Sequence, residues 1–128
     1  MIVVDASVIV HLLTVTEDDP LFGAVVRGEA VAPQVLDLEV LKALRTGYAR
    51  AAWTEERANE AAADFMALPI RRYRHDDLLP RIWQLRNNIT AYDASYVALA
   101  ERLNIPLVTR DLRLARSSAH AASIQYID

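Results

Sequence analysis

The chain has 128 residues, with 53% hydrophobic and 24% charged side chains, which describes one globular domain spanning 1–128 and excludes a disordered tail. It has no cysteine, so disulfide scaffolding, thiol catalysis and cysteine-ligated metal centres are excluded. A net charge of −3, with Lys42 as the single lysine, argues against a protein that coats nucleic acid by general basicity.

In chain order, Ile2–Val4 is a short apolar run closed by Asp5 and predicts a buried parallel strand. The start Met1-Ile2-Val3-Val4-Asp5 lacks the basic region of a signal peptide, and no run approaches a membrane span, so a cytoplasmic protein without membrane contact is expected. Ser7–Leu13 is an apolar stretch of helix length, Val15–Pro20 is acidic and turn-like, and Leu21–Arg27 predicts a short helix ending at Gly28. Ala30–Ala32 is a second strand. Pro33 suits the first turn of a long helix over Gln34–Arg50, whose face carries Leu36, Val40, Ala43, Leu44 and Gly47. Thr54 followed by Glu55 and Glu56 opens another helix that runs to Leu68 before Pro69. Ile70–Arg74 is a strand candidate, Leu78–Arg86 a helix, and Asn87-Asn88 a break. Ala91–Leu103 is an amphipathic helix, Ile105–Thr109 a strand, Asp111–Arg116 a short helix and Ile124–Ile127 a last strand. Strands alternating with helices predict a parallel sheet covered on both faces, whose ligand lies beyond the carboxyl ends of its strands.

Acids stand at those ends. Asp5 follows the first strand, Asp111 follows Thr109 after one residue, and Asp93 opens the Ala91–Leu103 helix. An acid one turn into the helix after Pro33, Asp37 or Glu39, reaches the same region. Each has an ordinary structural use. Asp5 and Asp111 can cap the helices they precede, Thr90 and Asp93 have capping-box spacing, and Glu39 can pair with Lys42. As a set they repel one another and call for a cation. Oxygen-only donors suit Mg²⁺ or Mn²⁺, and such ions assist phosphodiester hydrolysis.

Four stretches carry a resemblance. They are Val-Val-Asp-Ala-Ser-Val-Ile-Val at Val3–Val10, Pro33–Arg45 with Leu38-Glu39-Val40 at its centre, Ala-Tyr-Asp-Ala-Ser-Tyr-Val-Ala-Leu-Ala at Ala91–Ala100, and Pro-Leu-Val-Thr-Arg-Asp-Leu-Arg-Leu-Ala at Pro106–Ala115. In this order and at these intervals the chain resembles PIN-domain ribonucleases, and among them the VapC-type toxins of toxin–antitoxin pairs. The resemblance implies a three-layer αβα sandwich with a central, mostly parallel sheet, and an Mg²⁺- or Mn²⁺-dependent endoribonuclease. It implies Asp5, Glu39, Asp93 and Asp111 as the metal-binding and catalytic acids, choosing Glu39 over Asp37. It places Ser7 and Thr109 as small hydroxyl residues beside the site. It also implies a homodimer, a cognate antitoxin protein in the cleft, and RNA substrates such as transfer RNA.

Other residues are read beside this set. Arg110, Arg113 and Arg116 form a basic patch around the last acid, in which Arg110 adjoins Thr109 and Asp111 and is placed to hold a phosphate, while the patch Arg71, Arg72 and Arg74 reads as a solvated face. Tyr92 adjoins Asp93 and either stacks on a base or packs in the core. Trp53, Trp83 and Tyr96 read as core or interface aromatics. His11, His75 and His120 show no metal spacing, and no glycine-rich phosphate loop is present. A phospho-receiver domain would need a late lysine, and an aspartyl-phosphate phosphatase a second acid where Ser7 stands. A non-catalytic RNA- or protein-binding member of the fold is the remaining alternative.

Overall fold

The computed structural model describes residues 1–15 and 18–128. The central part of the acidic turn expected at Val15–Pro20, residues 16 and 17, lies outside the described residues. The elements run β1 (Ile2–Val4), α1 (Ala6–Thr14), α2 (Pro20–Val26), β2 (Ala30–Pro33), α3 (Val35–Ala49), α4 (Glu55–Ala67), β3 (Arg71–Tyr73), a 3₁₀ turn (Asp76–Leu78), α5 (Leu79–Gln84), α6 (Ala91–Leu103), β4 (Leu107–Thr109), α7 (Leu112–Ala115) and β5 (Ile124–Tyr126).

The sheet order is β3-β2-β1-β4-β5, and every pairing is parallel. The expected mostly parallel sheet is therefore wholly parallel among the described residues. Chain order leads leftward from β1 through β2 to β3, then back across the sheet to β4 and β5. Right-handed crossovers place the two sets of helices on opposite faces. In agreement, α1, α3 and α4 pack on one another, while α6 lies across β1, β2 and β4 and carries α5 on its outer side. The result is a three-layer αβα sandwich around one hydrophobic core, with Val3, Val4, Val31, Leu36, Val97 and Leu107 wholly buried in it.

The central strands are short because three residues suffice to cross this core, and each is fully apolar up to its carboxyl end. Val3 pairs with Val31 on one side and Leu107 on the other, so β1 and β4 end side by side. This is where strand order reverses, and the crevice there opens between connections that diverge to opposite faces.

Some local boundaries differ from expectation for physical reasons. Pro33 ends β2 and does not open α3. It pairs with Tyr73 in the sheet, and the Gln34 amide next to it donates to the Tyr73 carbonyl at 2.9 Å. The first turn of α3 is capped by a distant side chain: His75 Nε2 accepts from the Val35 amide at 3.2 Å. Arg71, Arg72 and Arg74 are used locally at this edge, with Arg71 over the Tyr73 ring, Arg72 paired to Asp37 and Arg74 paired to Asp76.

The α3–α4 connection depends on a glycine. Trp53 folds back onto α3, donating from Nε1 to the Leu44 carbonyl at 3.3 Å, and its ring lies against Gly47. A Cβ at Gly47 would overlap that ring. Gly47→Ala should therefore destabilise the protein by about 1–3 kcal/mol through overpacking, read as a lower urea midpoint together with a shifted Trp fluorescence maximum.

Candidate active site

Asp5 is the anchor of the crevice. It is 5% exposed, and it is the N-cap of α1, with Oδ1 accepting from the Val8 amide at 3.1 Å. Oδ1 also accepts from the Ser7 hydroxyl at 2.6 Å, and Oδ2 from the Thr109 hydroxyl. Each hydroxyl is held by a backbone amide in turn: Arg110 N–H donates to Ser7 Oγ at 3.0 Å, and Asp111 N–H donates to Thr109 Oγ1 at 3.0 Å. One carboxylate thus joins the end of β1 to the end of β4. Burial pushes its pKa up, and the hydrogen bonds from Ser7, Thr109 and Val8 oppose that shift.

Glu39 sits one turn into α3. Its Oε1 accepts from the Tyr96 hydroxyl at 2.6 Å. Its contact is this bond and not an ion pair with Lys42, whose charge acts on it only from a distance. Asp37 is drawn the other way, to Arg72 at 2.9 Å. Asp37 and Glu39 lie two residues apart on a helix and so point to different sides, and the structure turns Glu39 toward Asp5 and Asp93. Burial raises the Glu39 pKa, and repulsion from Asp93 and Asp5 adds to the rise.

Asp93 lies in the first turn of α6, where the Thr90 hydroxyl accepts from its amide at 3.2 Å. That is half of a capping box. The Asp93 carboxylate itself turns to Arg113, with Oδ2 at 3.4 Å from Nη2. Its pKa is raised by burial and by Asp111 and Asp5, and Arg113 works in the opposite direction. Asp111 caps α7, accepting from the Arg113 and Leu114 amides at 2.9 and 3.4 Å, and its other oxygen lies 3.7 Å from Arg113.

The four acids therefore share one crevice and repel one another across it, while retaining the capping uses open to Asp5 and Asp111. Among the described residues, no three acidic or histidine side chains close into a preformed ion cage. Instead, the exposed guanidinium of Arg113 bridges Asp93 and Asp111. The donor set is all oxygen, which fits a hard divalent ion, and the mutual repulsion is what such an ion would relieve.

Tyr96 has a part at the site that the sequence does not mark, and within the patch Arg110, Arg113 and Arg116 the contact falls to a different member from the one expected. Tyr96 is 1% exposed, as a core aromatic should be, yet its hydroxyl reaches Glu39. Burial and the neighbouring carboxylate push its pKa far above the ordinary phenol value, so it remains a donor. Arg113, not Arg110, contacts the acids. Arg110 is fixed through its backbone, and its buried Nε has no partner. Nothing local marks Tyr96, which directly follows Ala94 and Ser95 on a buried helix.

The remaining candidates separate. Tyr92 is 60% exposed and lies beside Glu39 on the wall of an apolar groove of about 690 Å³, lined also by Val10, Leu38 and Trp53. Trp83 is 67% exposed and is not a core residue; Arg86 stacks on it at 4.4 Å. His75 caps α3, and His120 faces the Ser117 hydroxyl at 2.9 Å.

Because the Asp93 pKa is raised in the folded state, its ionised form opposes folding above the ordinary carboxylate range, and stability recovers as pH falls through the folded value. Asp93→Asn should raise the urea midpoint at neutral pH in a chelator, and the gain should vanish in acid, where the wild-type carboxyl is neutral too.

Comparison with known proteins gives a consistent placement. Residues 2–119 match the family model described as PIN domain. Ribonuclease VapC12 of Mycobacterium tuberculosis is 39% identical over 128 residues, covering 99% of both chains. The crystal structure of PAE2754 from Pyrobaculum aerophilum superposes with a TM-score of 0.70 at 20% identity, covering 96% of this chain and 81% of the other. That of VapBC2 from Rickettsia felis, bound to a DNA fragment from their promoter, gives 0.68 at 15% identity over 100% of both chains. The chain belongs to the PIN-domain family.

Proposed function

We propose that this PIN-domain chain is an endoribonuclease, the toxin of a toxin–antitoxin pair, that hydrolyses RNA at the crevice between β1 and β4. The observation that carries this reading is the convergence of Asp5, Glu39, Asp93 and Asp111 at the ends of β1 and β4, where burial and mutual repulsion outweigh the nearby cations Lys42 and Arg113 at Glu39 and Asp93. The full-length similarity to a protein named Ribonuclease VapC12 supports it.

Asp5, Glu39, Asp93 and Asp111 would hold Mg²⁺ or Mn²⁺, which supplies Lewis acidity to a phosphate oxygen and a strong oxygen nucleophile at neutral pH. The chain's own residues set the geometry. Ser7 and Thr109 fix both oxygens of Asp5, so that carboxylate cannot rotate. Tyr96 occupies one oxygen of Glu39 and leaves the other toward the crevice. Arg113 is an exposed cation at the rim, placed to exchange Asp93 and Asp111 for an RNA phosphate. Attack by the RNA's own 2′-OH would call for a paired acid and base such as two histidines, but His75 and His120 are engaged elsewhere in the fold. The expected products are ends carrying a 5′-phosphate and a 3′-hydroxyl, as attack by a water-derived oxygen gives.

The apolar groove beside Glu39 is the seat for the antitoxin. Leu38 and Tyr92, 70% and 60% exposed, form its lip, and a partner segment there would reach the acids directly. Among the described residues no helix is long and apolar enough to cross a membrane. The same reading includes a homodimer, checked by light scattering on the purified protein.

The deciding experiment is cleavage of a mixed RNA pool, transfer RNA included, with Mg²⁺ or Mn²⁺. Discrete cuts are expected. Asp5→Asn, Asp93→Asn and excess EDTA should each reduce them by a factor of about 100 or more. Cutting that survives both substitutions would sink the carboxylate mechanism, and folded, antitoxin-free protein that cuts nothing would sink the nuclease reading.

Tyr96→Phe tests the buried hydroxyl. It keeps the ring and removes only the bond to Glu39. We expect a roughly 10- to 100-fold loss of activity, as for other groups that orient a metal-binding side chain, with a partial recovery at high Mn²⁺.

A further inference from the structure

A second cavity opens on the opposite side of Asp93 from the apolar groove. It has a volume of about 340 Å³ and lies between the α5–α6 connection and α7. We infer that it is a subsite for one unpaired nucleobase, next to the scissile phosphate, and that Asn87 and Asn88 read that base. The inference rests on the ribonuclease reading above and deepens it.

The chemistry of the lining supports this. Ile89 and the buried Leu114 provide an apolar surface against which a base face can lie. Asn87 and Asn88 stand exposed at the rim, and their side-chain amides make no hydrogen bond among the described residues. Each amide offers a donor and an acceptor, the combination that matches a base edge. Ser117 is committed, donating to the Leu114 carbonyl at 2.6 Å, so it shapes the wall and does not select.

Position ties the cavity to the reaction. Asp93 and Arg113 line it and also belong to the acid crevice, so a nucleotide seated here has its phosphate beside Arg113 and its backbone directed into the crevice. Arg86 adds a second cation at the mouth, held against Trp83 with Nη1 donating to the Trp83 carbonyl at 2.9 Å. The volume is at the low end of the range for small-molecule sites, about 300–1,000 Å³, which suits one nucleotide and excludes a duplex or a helix. A protein segment would instead find its match in the groove beside Glu39, which is twice as large and is lined mainly by apolar side chains with Lys42, Thr46 and Arg50 among them.

The test compares wild type with N87A/N88A on a pool of single-stranded RNA randomised around a central cut site, with the cut ends sequenced. Both substitutions lie at exposed loop positions and should leave the fold intact. Wild type should show a base preference at one position adjoining the cut. N87A/N88A should lose about tenfold of that preference, the worth of one good hydrogen bond, while still cutting the pool. An unchanged profile, or a uniform loss over all sequences, would overturn the inference. So would an unchanged profile with weakened antitoxin binding, which would assign the loop to the protein partner. If wild type cuts nothing, the nuclease reading fails by itself, and the subsite is decided by binding. In NMR spectra of the D5N variant, single-stranded oligoribonucleotides should shift the Asn87 and Asn88 side-chain amides and the Ile89 methyls. Unmoved resonances at saturating RNA would dismiss the subsite.

Discussion

The structure turns on one buried carboxylate. Asp5 has both oxygens engaged by groups from two strand ends, with Oδ2 accepting a single bond and so keeping a lone pair, and each hydroxyl that donates to it accepts an amide from the next residues of β4's exit. A charge removed from water is costly unless its lone pairs are filled. Filling them here demands that β1 and β4 lie adjacent and in one register. The same bonds that make the charge tolerable therefore fix the crevice. Chains of this kind also polarise along their length, so the backbone amides of Arg110 and Asp111 strengthen the field at Asp5 through Thr109 and Ser7.

Around this anchor the protein keeps an arrangement that weakens its own fold. Three of the four acids have raised pKa values, with burial as the first cause and mutual repulsion as an addition. Lys42 offsets Glu39 only in part, as the weakest of the influences on it. Arg113 acts from the rim, bridging two acids while 76% of its side chain stays in water. An exposed ion pair of this geometry stabilises little. That weakness is useful, because a cation that leaves easily can yield to a divalent ion or follow a phosphate. The lost stability is made up in the hydrocarbon core beneath, where β1, β2 and β4 are buried without exception beyond Ile2.

Much of this was legible in the sequence. The short apolar runs closed by acids have few other solutions, and the alternation of strand and helix leaves one class of sheet. What local pattern could not provide is any choice between neighbours that depends on a distant partner. Asp37 and Glu39 look alike in sequence; Arg72, on another strand, takes one, and Tyr96, on another helix, takes the other. Tyr96 itself reads as core because it is core, with only its terminal oxygen at work. Pro33 reads as a helix start because proline suits one, but the strand partner at Tyr73 extends the sheet through it, and His75 supplies the cap that the chain near Gln34 lacks. Arg110 and Arg113 illustrate the same limit: three residues apart around a short helix, one is turned inward without a partner and the other outward to the acids.

The crevice is asymmetric, and the asymmetry separates two kinds of visitor. On the α3 side the wall is Val10, Leu38, Trp53 and Tyr92, a surface that gains by losing water. On the α6–α7 side it is Asn87, Asn88, Arg86 and Arg113, a surface whose groups must be re-paired by whatever displaces water. A peptide of apolar side chains satisfies the first and leaves the second unpaired; an unpaired nucleotide does the reverse. Glu39 stands in the first wall and Asp93 in the second, so each visitor touches one carboxylate of the set. An inhibitor held in the apolar groove can then block the reaction through Glu39 alone, without imitating RNA.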